Sequence, residues 1–317
     1  MKVLITIDTE INPIEIDPPA LLSRNIERRI WGRVAGGEVG IGWQARGLQE
    51  AGLTGVFFIE ALCASVIDRA LLREWVSAVQ QHGQEVQLHV HAEWAQYLGI
   101  APQAGTSGFN LFQYRRDDQK RLIGMALENL LGAGAHPVTA FRAGNYSASD
   151  ETLEIVAELG LRWDSSYNRL YLDRECKLSP APRHNMPFRR GNCAVLPVTG
   201  FIDGLGKLRH AQLCACSARE MRQATSNAAR AGMPAFVIVS HSFELLAENG
   251  ERRSRTIVRR WDALLKFLSQ NRAAMPTTGF DALDDAMLEG DSRDDRLSVS
   301  PLATLGRMTG QLADRVL

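Results

Sequence analysis

From end to end, short β-prone apolar runs alternate with stretches of helical periodicity, and this alternation constrains the fold more than any other feature. Residues 3–7 read as a buried strand, 41–52 as a helix and 55–60 (GVFFIE) as the next strand. Over 65–82, Val66, Ile67, Leu71, Leu72, Trp75, Val76 and Val79 recur at spacings of three and four, which predicts a helix. Residues 84–89 follow as a third strand. A helix over 117–133 opens on Asp117 and Asp118, whose charge suits its positive end. Residues 138–141 form a short strand, and Ser147 with Asp150 has capping-box spacing ahead of a helix through Leu159. Strands at 161–164 and 194–198, a helix from Ser217 and Glu220 to Gly232, a β-rich run at 235–240, a helix at 254–271 and a strand at 277–280 complete the series.

Strands that alternate with helices imply a parallel sheet with right-handed crossovers. Seven or eight such units fit a distorted (β/α) barrel better than an open two-halved sheet, and no dinucleotide fingerprint follows the first strand. The chain has 317 residues, a length that sets a prior of about two domains, yet α/β barrels use this many as one. We therefore expect an α/β barrel domain over 1–285. A charged, serine-containing linker at 286–300 and a small amphipathic helix at 301–317 form a short C-terminal tail that docks back or mediates association.

Basic and acidic residues balance at 36 each, so a nucleic-acid footprint, which requires a clustered basic surplus, is not expected. No apolar run approaches the roughly 20 residues of a membrane span. MKVLITIDTE enters strand-like sequence directly, without the pattern of a secretory signal. The five cysteines (63, 176, 193, 214 and 216) form no regular disulfide framework and suit a reducing cytoplasm.

The unusual polar residues fall where strands end. Asp8 and Glu10 close the first strand, His89 and His91 the third; Arg142 and Asp164 follow the fourth and fifth, and His241 follows AFVIVS. In parallel α/β folds this end of the sheet carries the ligand site. Side chains two apart on a strand point the same way, so His89 and His91 can grip one cation beside an acid pair. Glu93 is a further possible ligand, and Trp94 reads as a pocket wall. Histidines 82, 136, 184 and 210 lie in loops or helix ends and receive no role.

ITIDTE, VQLHVHAEW, FRAGNY, WDSSY and IVSHS, in this order, resemble the five signatures of the polysaccharide deacetylase superfamily, the carbohydrate esterase family four or NodB-homology group. The resemblance covers about residues 1–285 and implies a distorted barrel that hydrolyses acetamido groups on amino sugars with a divalent metal. It implies Asp8 as the base, Glu10 and His89 as metal ligands, and Arg142 as the residue that positions the base. It further implies the Tyr146 amide in an oxyanion hole, Asp164 as a partner carboxylate and His241 as the general acid. Two departures matter: Thr9 separates the acids of the first motif, and Glu93 stands where the second metal histidine is usual, so His91 is expected to replace it. Zinc is the expected ion, with Co2+, Ni2+ or Fe2+ as alternatives.

The expected substrate is an N-acetylated sugar, a nucleotide- or lipid-linked precursor of surface polysaccharide such as lipopolysaccharide. Residues 11–40 and 166–193 are expected to shape specificity, with Trp31, Tyr167 and Tyr171 stacking on sugar rings. Two rival expectations stand beside it: an amidohydrolase of the same fold acting on ureides or cyclic imides, with or without metal, and an inactive sugar-binding barrel.

Overall fold

The computed structural model describes residues 1–181, 183–288, 296–305 and 307. Eight strands form one curled sheet: β1 (Lys2–Thr9), β2 (Gly55–Glu60), β3 (Glu85–Val90), β4 (Ala140–Ala143), β5 (Trp163–Asp164), β6 (Phe188–Arg190), β7 (Cys193–Val195) and β10 (Ala235–His241). Their spatial order is β10-β1-β2-β3-β4-β5-β7-β6, parallel throughout except for the antiparallel edge strand β6. A separate hairpin pairs β8 (Gly200–Ile202) with β9 (Leu208–His210). Helices α1 (Pro19–Arg29), α2 (Ile41–Glu50), α3 (Arg69–Gln80), α4 (Arg116–Gly132), α5 (Asp150–Glu158), α6 (Ala218–Arg230) and α7 (Arg255–Gln270) fill the connections.

Two-residue alternation sorts the strand side chains into two buried sets. Val3, Ile5, Ile7, Phe57, Ile59, Val86, Leu88, Phe236 and Ile238 belong to the large core shared with the helices. Leu4, Val56, Phe58, Ala140, Trp163, Ala194, Ala235 and Val237 form a second cluster on the concave face. Phe280, Leu283 and Met287 join that second cluster after α7 and plug its lower end, Phe280 meeting Phe58 edge-on at 5.4 Å. Over 277–280 there is no strand, only a bridge from Thr277 to Val3, because Phe280 turns inward to seal the barrel.

The sheet does not close by a continuous ladder. Irregular chain covers the outer edge of β10 instead: Val237 N donates to Thr199 Oγ1 (2.8 Å), Leu213 N to Val239 O (2.9 Å) and Val239 N to Ala211 O (2.9 Å). The result is a distorted (β/α) barrel.

Helix starts follow their caps. Asp68 accepts from Ala70 N, so α3 begins at Arg69, and 62–65 forms a separate single turn. The capping box before α5 is Ser149 with Thr152, two residues later than the expected Ser147, whose hydroxyl instead donates to Gly144 O. Ser217 and Glu220 cap α6 as their spacing predicts. All five cysteines are free thiols, four buried and Cys214 half-buried. Among the described residues, no helix is long and apolar enough to cross a membrane. Residues 296–300, expected as linker, are instead packed, with Leu297 and Val299 buried; the rest of that linker, 289–295, and the tail residues 308–317 lie outside the described residues.

Candidate active site

Register sets the polar residues level with one another at the carboxyl end of the sheet. Asp8 pairs with His241, Glu60 with His89, His89 with Arg142, and Phe141 with Asp164. Arg142 lies within β4 rather than just after it.

At one end of the site, Glu10, His89 and His91 bring three donor atoms within 4.8 Å of one another. Glu10 Oε2 lies 2.6 Å from His91 Nε2 and 3.3 Å from His89 Nε2, while Oε1 accepts from Arg29 at 3.0 Å. Behind the cluster, His89 Nδ1 meets the Arg142 carbonyl at 2.8 Å and His91 Nδ1 meets Glu93 Oε2 at 3.2 Å. Glu93 Oε1 in turn accepts from Asn145 at 3.0 Å, so Glu93 backs His91 and stands outside the three-donor cluster. Burial opposes charge on both Glu10 and His91, yet their mutual attraction wins. It holds the Glu10 carboxyl well below the usual range and, with Glu93, the His91 imidazole well above its own.

At the other end, Asp8 Oδ1 accepts from Arg142 Nη1 at 2.6 Å, and Oδ2 faces His241 Nε2 at 4.0 Å. Arg142 is fully buried, with Thr6 Oγ1, Ser165 O and Ser165 Oγ as further acceptors and the Phe58 ring 4.3 Å from its guanidinium carbon. A buried guanidinium with that many acceptors has one orientation, so Asp8 is pinned through it.

The carboxylate that meets His241 is Glu244, not Asp164. His241 Nδ1 lies 2.7 Å from Glu244 Oε1, while Cys214 N, Ser240 Oγ and Gln212 Nε2 also donate to Glu244. Asp164 is fully buried on β5, with both oxygens taken by Ser166, and burial pushes its carboxyl up to about 6. Burial would lower His241, but the Glu244 hydrogen bond and charge, then Asp8 and Glu10, outweigh it and raise the imidazole to about 9.

Between these ends lies a cleft of about 460 Å3. Its lining joins both clusters to Phe109, Asn110, Tyr146, Tyr171, Glu175, His210 and Gln212. Tyr146 and Tyr171 stack at 5.2 Å, and burial raises the Tyr146 phenol far above its usual range. Asn145 and Tyr146 both adopt left-handed backbone (φ 55° and 57°), a costly turn of the kind that accumulates at working sites. Gly144 before them is required by space, because a Cβ there would lie 2.5 Å from the His91 ring.

Two expected site residues are elsewhere. Trp94 is buried in the core against Tyr97, and Tyr167 is buried with its hydroxyl on His184 Nδ1 (2.7 Å) and Ala181 N (3.0 Å). Both carry a large apolar ring that core packing claims first. Of the two segments expected to set specificity, 166–193 contributes Tyr171 and Glu175, whereas 11–40 contributes none of the lining residues. His210, given no role from sequence, forms part of the wall; burial lowers its imidazole to about 4. Glu244 carried one signal, its position three residues beyond His241.

No protein-family model and no curated relative matches the chain. Among solved structures, it is similar to a candidate polysaccharide deacetylase from Mycobacterium smegmatis, with TM-score 0.52 and 18% identity over 98% of this chain and 91% of that one. The two share a fold. A family 4 carbohydrate esterase from Streptomyces lividans, solved with acetate, matches at TM-score 0.40 and 12% identity, covering 88% and 92% of the respective chains. The peptidoglycan deacetylase PdaC from Bacillus subtilis matches at 0.37 and 11%, covering 99% and 96%.

Proposed function

We propose that the chain is a divergent deacetylase of the polysaccharide deacetylase superfamily that hydrolyses the N-acetyl amide of an amino sugar. The observation that carries this reading is an acid and a base, His241 and Asp8, facing each other at 4.0 Å beside a three-donor cluster. The donors fit a divalent ion: each imidazole has Nδ1 engaged behind the site, leaving Nε2 of His89 and of His91 toward a Glu10 oxygen. Zinc suits this nitrogen and oxygen set, as do Co2+, Ni2+ and Fe2+. When bound, such an ion polarises the amide carbonyl and brings the pKa of water toward about 7.

Asp8, pinned through Oδ1, takes the proton of the attacking water at Oδ2. His241 is protonated at neutral pH and gives its Nε2 proton to the amine, which cannot depart as an anion. Glu244 keeps the ring oriented through Nδ1. The Tyr146 backbone N–H serves the developing oxyanion, a contribution of about 3 kcal/mol for a single donor. Phe109 and Tyr171 supply apolar ring surface to the cleft that takes the sugar.

Use in surface-polysaccharide assembly rests on the motif resemblance, and a cytoplasmic setting on the five unpaired cysteines. The described lining includes no Lys or Arg, so a nucleotide- or lipid-diphosphate carrier would keep its phosphates outside the cleft. Acetate release from N-acetylated oligosaccharides by the zinc-loaded protein tests the reading. Release that disappears on His89→Ala is expected. Release that survives both that change and His241→Ala, or no release from any N-acetylated sugar, contradicts it.

A further inference from the structure

The β8–β9 hairpin has only two strands, and an isolated hairpin of that size is marginal in water. It nevertheless carries His210 at the end of β9, in the cleft wall. There Asn168 Nδ2 contacts His210 Nδ1 at 2.9 Å, and the ring lies 5.7 Å from Tyr171. What completes the hairpin is the far end of the chain. Ile202 N donates to Leu297 O (2.8 Å) and Val299 N to Ile202 O (3.0 Å), so 297–299 adds a third, parallel edge to β8.

The same segment is tied to α6. Asn227 donates to Ser298 O (2.7 Å), Ser300 N to Gln223 (3.0 Å) and Ser217 Oγ to Ala303 O (3.1 Å). At the hairpin turn Gly204 N donates to Thr304 Oγ1 at 2.8 Å, and a Cβ on Gly204 would lie 2.3 Å from Pro301.

A buried charge fixes this docking. Arg307 is 6% exposed; its Nη2 reaches Asp203 Oδ2 at 2.9 Å and its Nε reaches Glu220 at 3.3 Å, both carboxylates fully buried. Asp203 also accepts from Leu205 N and Lys207 N inside the turn, so it joins the tail to the hairpin. A guanidinium fork shared by two buried carboxylates is satisfied in one register; removing it takes the cation from buried Glu220, while Asp203 keeps Arg209 Nε at 3.1 Å but loses its tie to the tail.

We propose that residues 296–305 are a brace that positions the His210 wall of the cleft, with Arg307 as its latch. The consequence for catalysis rests on the deacetylase reading; the consequence for the hairpin does not. The brace acts on substrate binding and leaves the metal-binding end, on β1 and β3, untouched.

Arg307→Met in the full chain tests this. Expected are faster amide hydrogen exchange over 200–210 and a KM for N,N′,N″-triacetylchitotriose raised about five- to tenfold, with kcat and zinc affinity unchanged. Arg307→Lys, which keeps the charge, should recover part of the loss. The His210 imidazole, buried and neutral in the native chain, should titrate closer to 6.5 in Arg307→Met by NMR. Unchanged exchange and unchanged His210 titration would overturn the inference. So would loss of zinc affinity in step with whole-chain stability, because that describes general destabilisation. If the native protein releases no acetate, the deacetylase reading falls, while exchange and His210 titration still decide this one.

Discussion

Glu10, His89 and His91 project from two regular strands or the residue just beyond them, and Asp8 and His241 from strand ends as well, whereas the carboxylate that holds His241 and the cleft wall beside it come from chain outside the eight-stranded sheet. At the first end, two-residue alternation aims the side chains, and the parallel register between β2, β3 and β4 sets their height. At the second, Glu244 reaches His241 from the chain after β10, and His210 and Gln212 reach the cleft beside Ala211 and Leu213, which close the barrel along β10. On the proposed function, one cleft combines a cation-binding end whose donors periodicity aims and an acid end whose partners tertiary packing supplies. The difference makes the two ends separable by experiment.

The largest expected effects set the ends apart. His89→Ala should abolish both zinc binding and turnover, since it removes one of three donors. His241→Ala should lower kcat by about 10²- to 10⁴-fold while zinc affinity stays intact. Calorimetric zinc titration beside steady-state kinetics reads both; loss of zinc binding in His241→Ala would break the division.

A smaller effect concerns the partner of the acid. A general acid raised to about 9 is active when protonated, so turnover should persist through neutrality and fall as pH rises through about 9. Glu244→Gln removes the raising charge and should shift that alkaline limb downward, toward 6.5, with kcat reduced. Asp164→Asn should leave the limb in place, because Asp164 bonds Ser166 and not His241. The same raised value makes the His241–Glu244 pair a stability contribution complete below about 6.5 and lost as pH rises through about 9.

The smallest effect sharpens the cation-binding end. Gly144→Ala places a methyl 2.5 Å from the His91 ring, which must then tilt off Glu93. Zinc affinity should fall about 10- to 100-fold, the usual cost of disturbing a ligand's outer partner. Unaltered affinity would mean that His91 is not a ligand.

These residues also show where sequence reading reaches its limit. The alternation of strands and helices, the capping of α6 and the strand-end position of Asp8, His89 and His241 were legible because each depends on local periodicity or local caps. The Asp164 role was not, because a buried carboxylate can take its hydrogen bonds from a neighbour two residues away, here Ser166, as easily as from across the barrel. Trp94 and Tyr167 look the same in sequence whether their rings line a cleft or fill a core. Phe109 sits in irregular chain and His210 ends a strand of three residues, too short to show periodicity, so nothing local announces that they form the wall.

The most direct test of the two-ended cleft is an anomalous-scattering map at the zinc edge from crystals of the zinc-loaded protein. The expected result is one peak about 2.0–2.2 Å from His89 Nε2, His91 Nε2 and a Glu10 oxygen, with Asp8 and Glu93 outside that range. A peak held by Asp8 or Glu93 in place of Glu10 or His91, or a fully active protein with no peak, would contradict it.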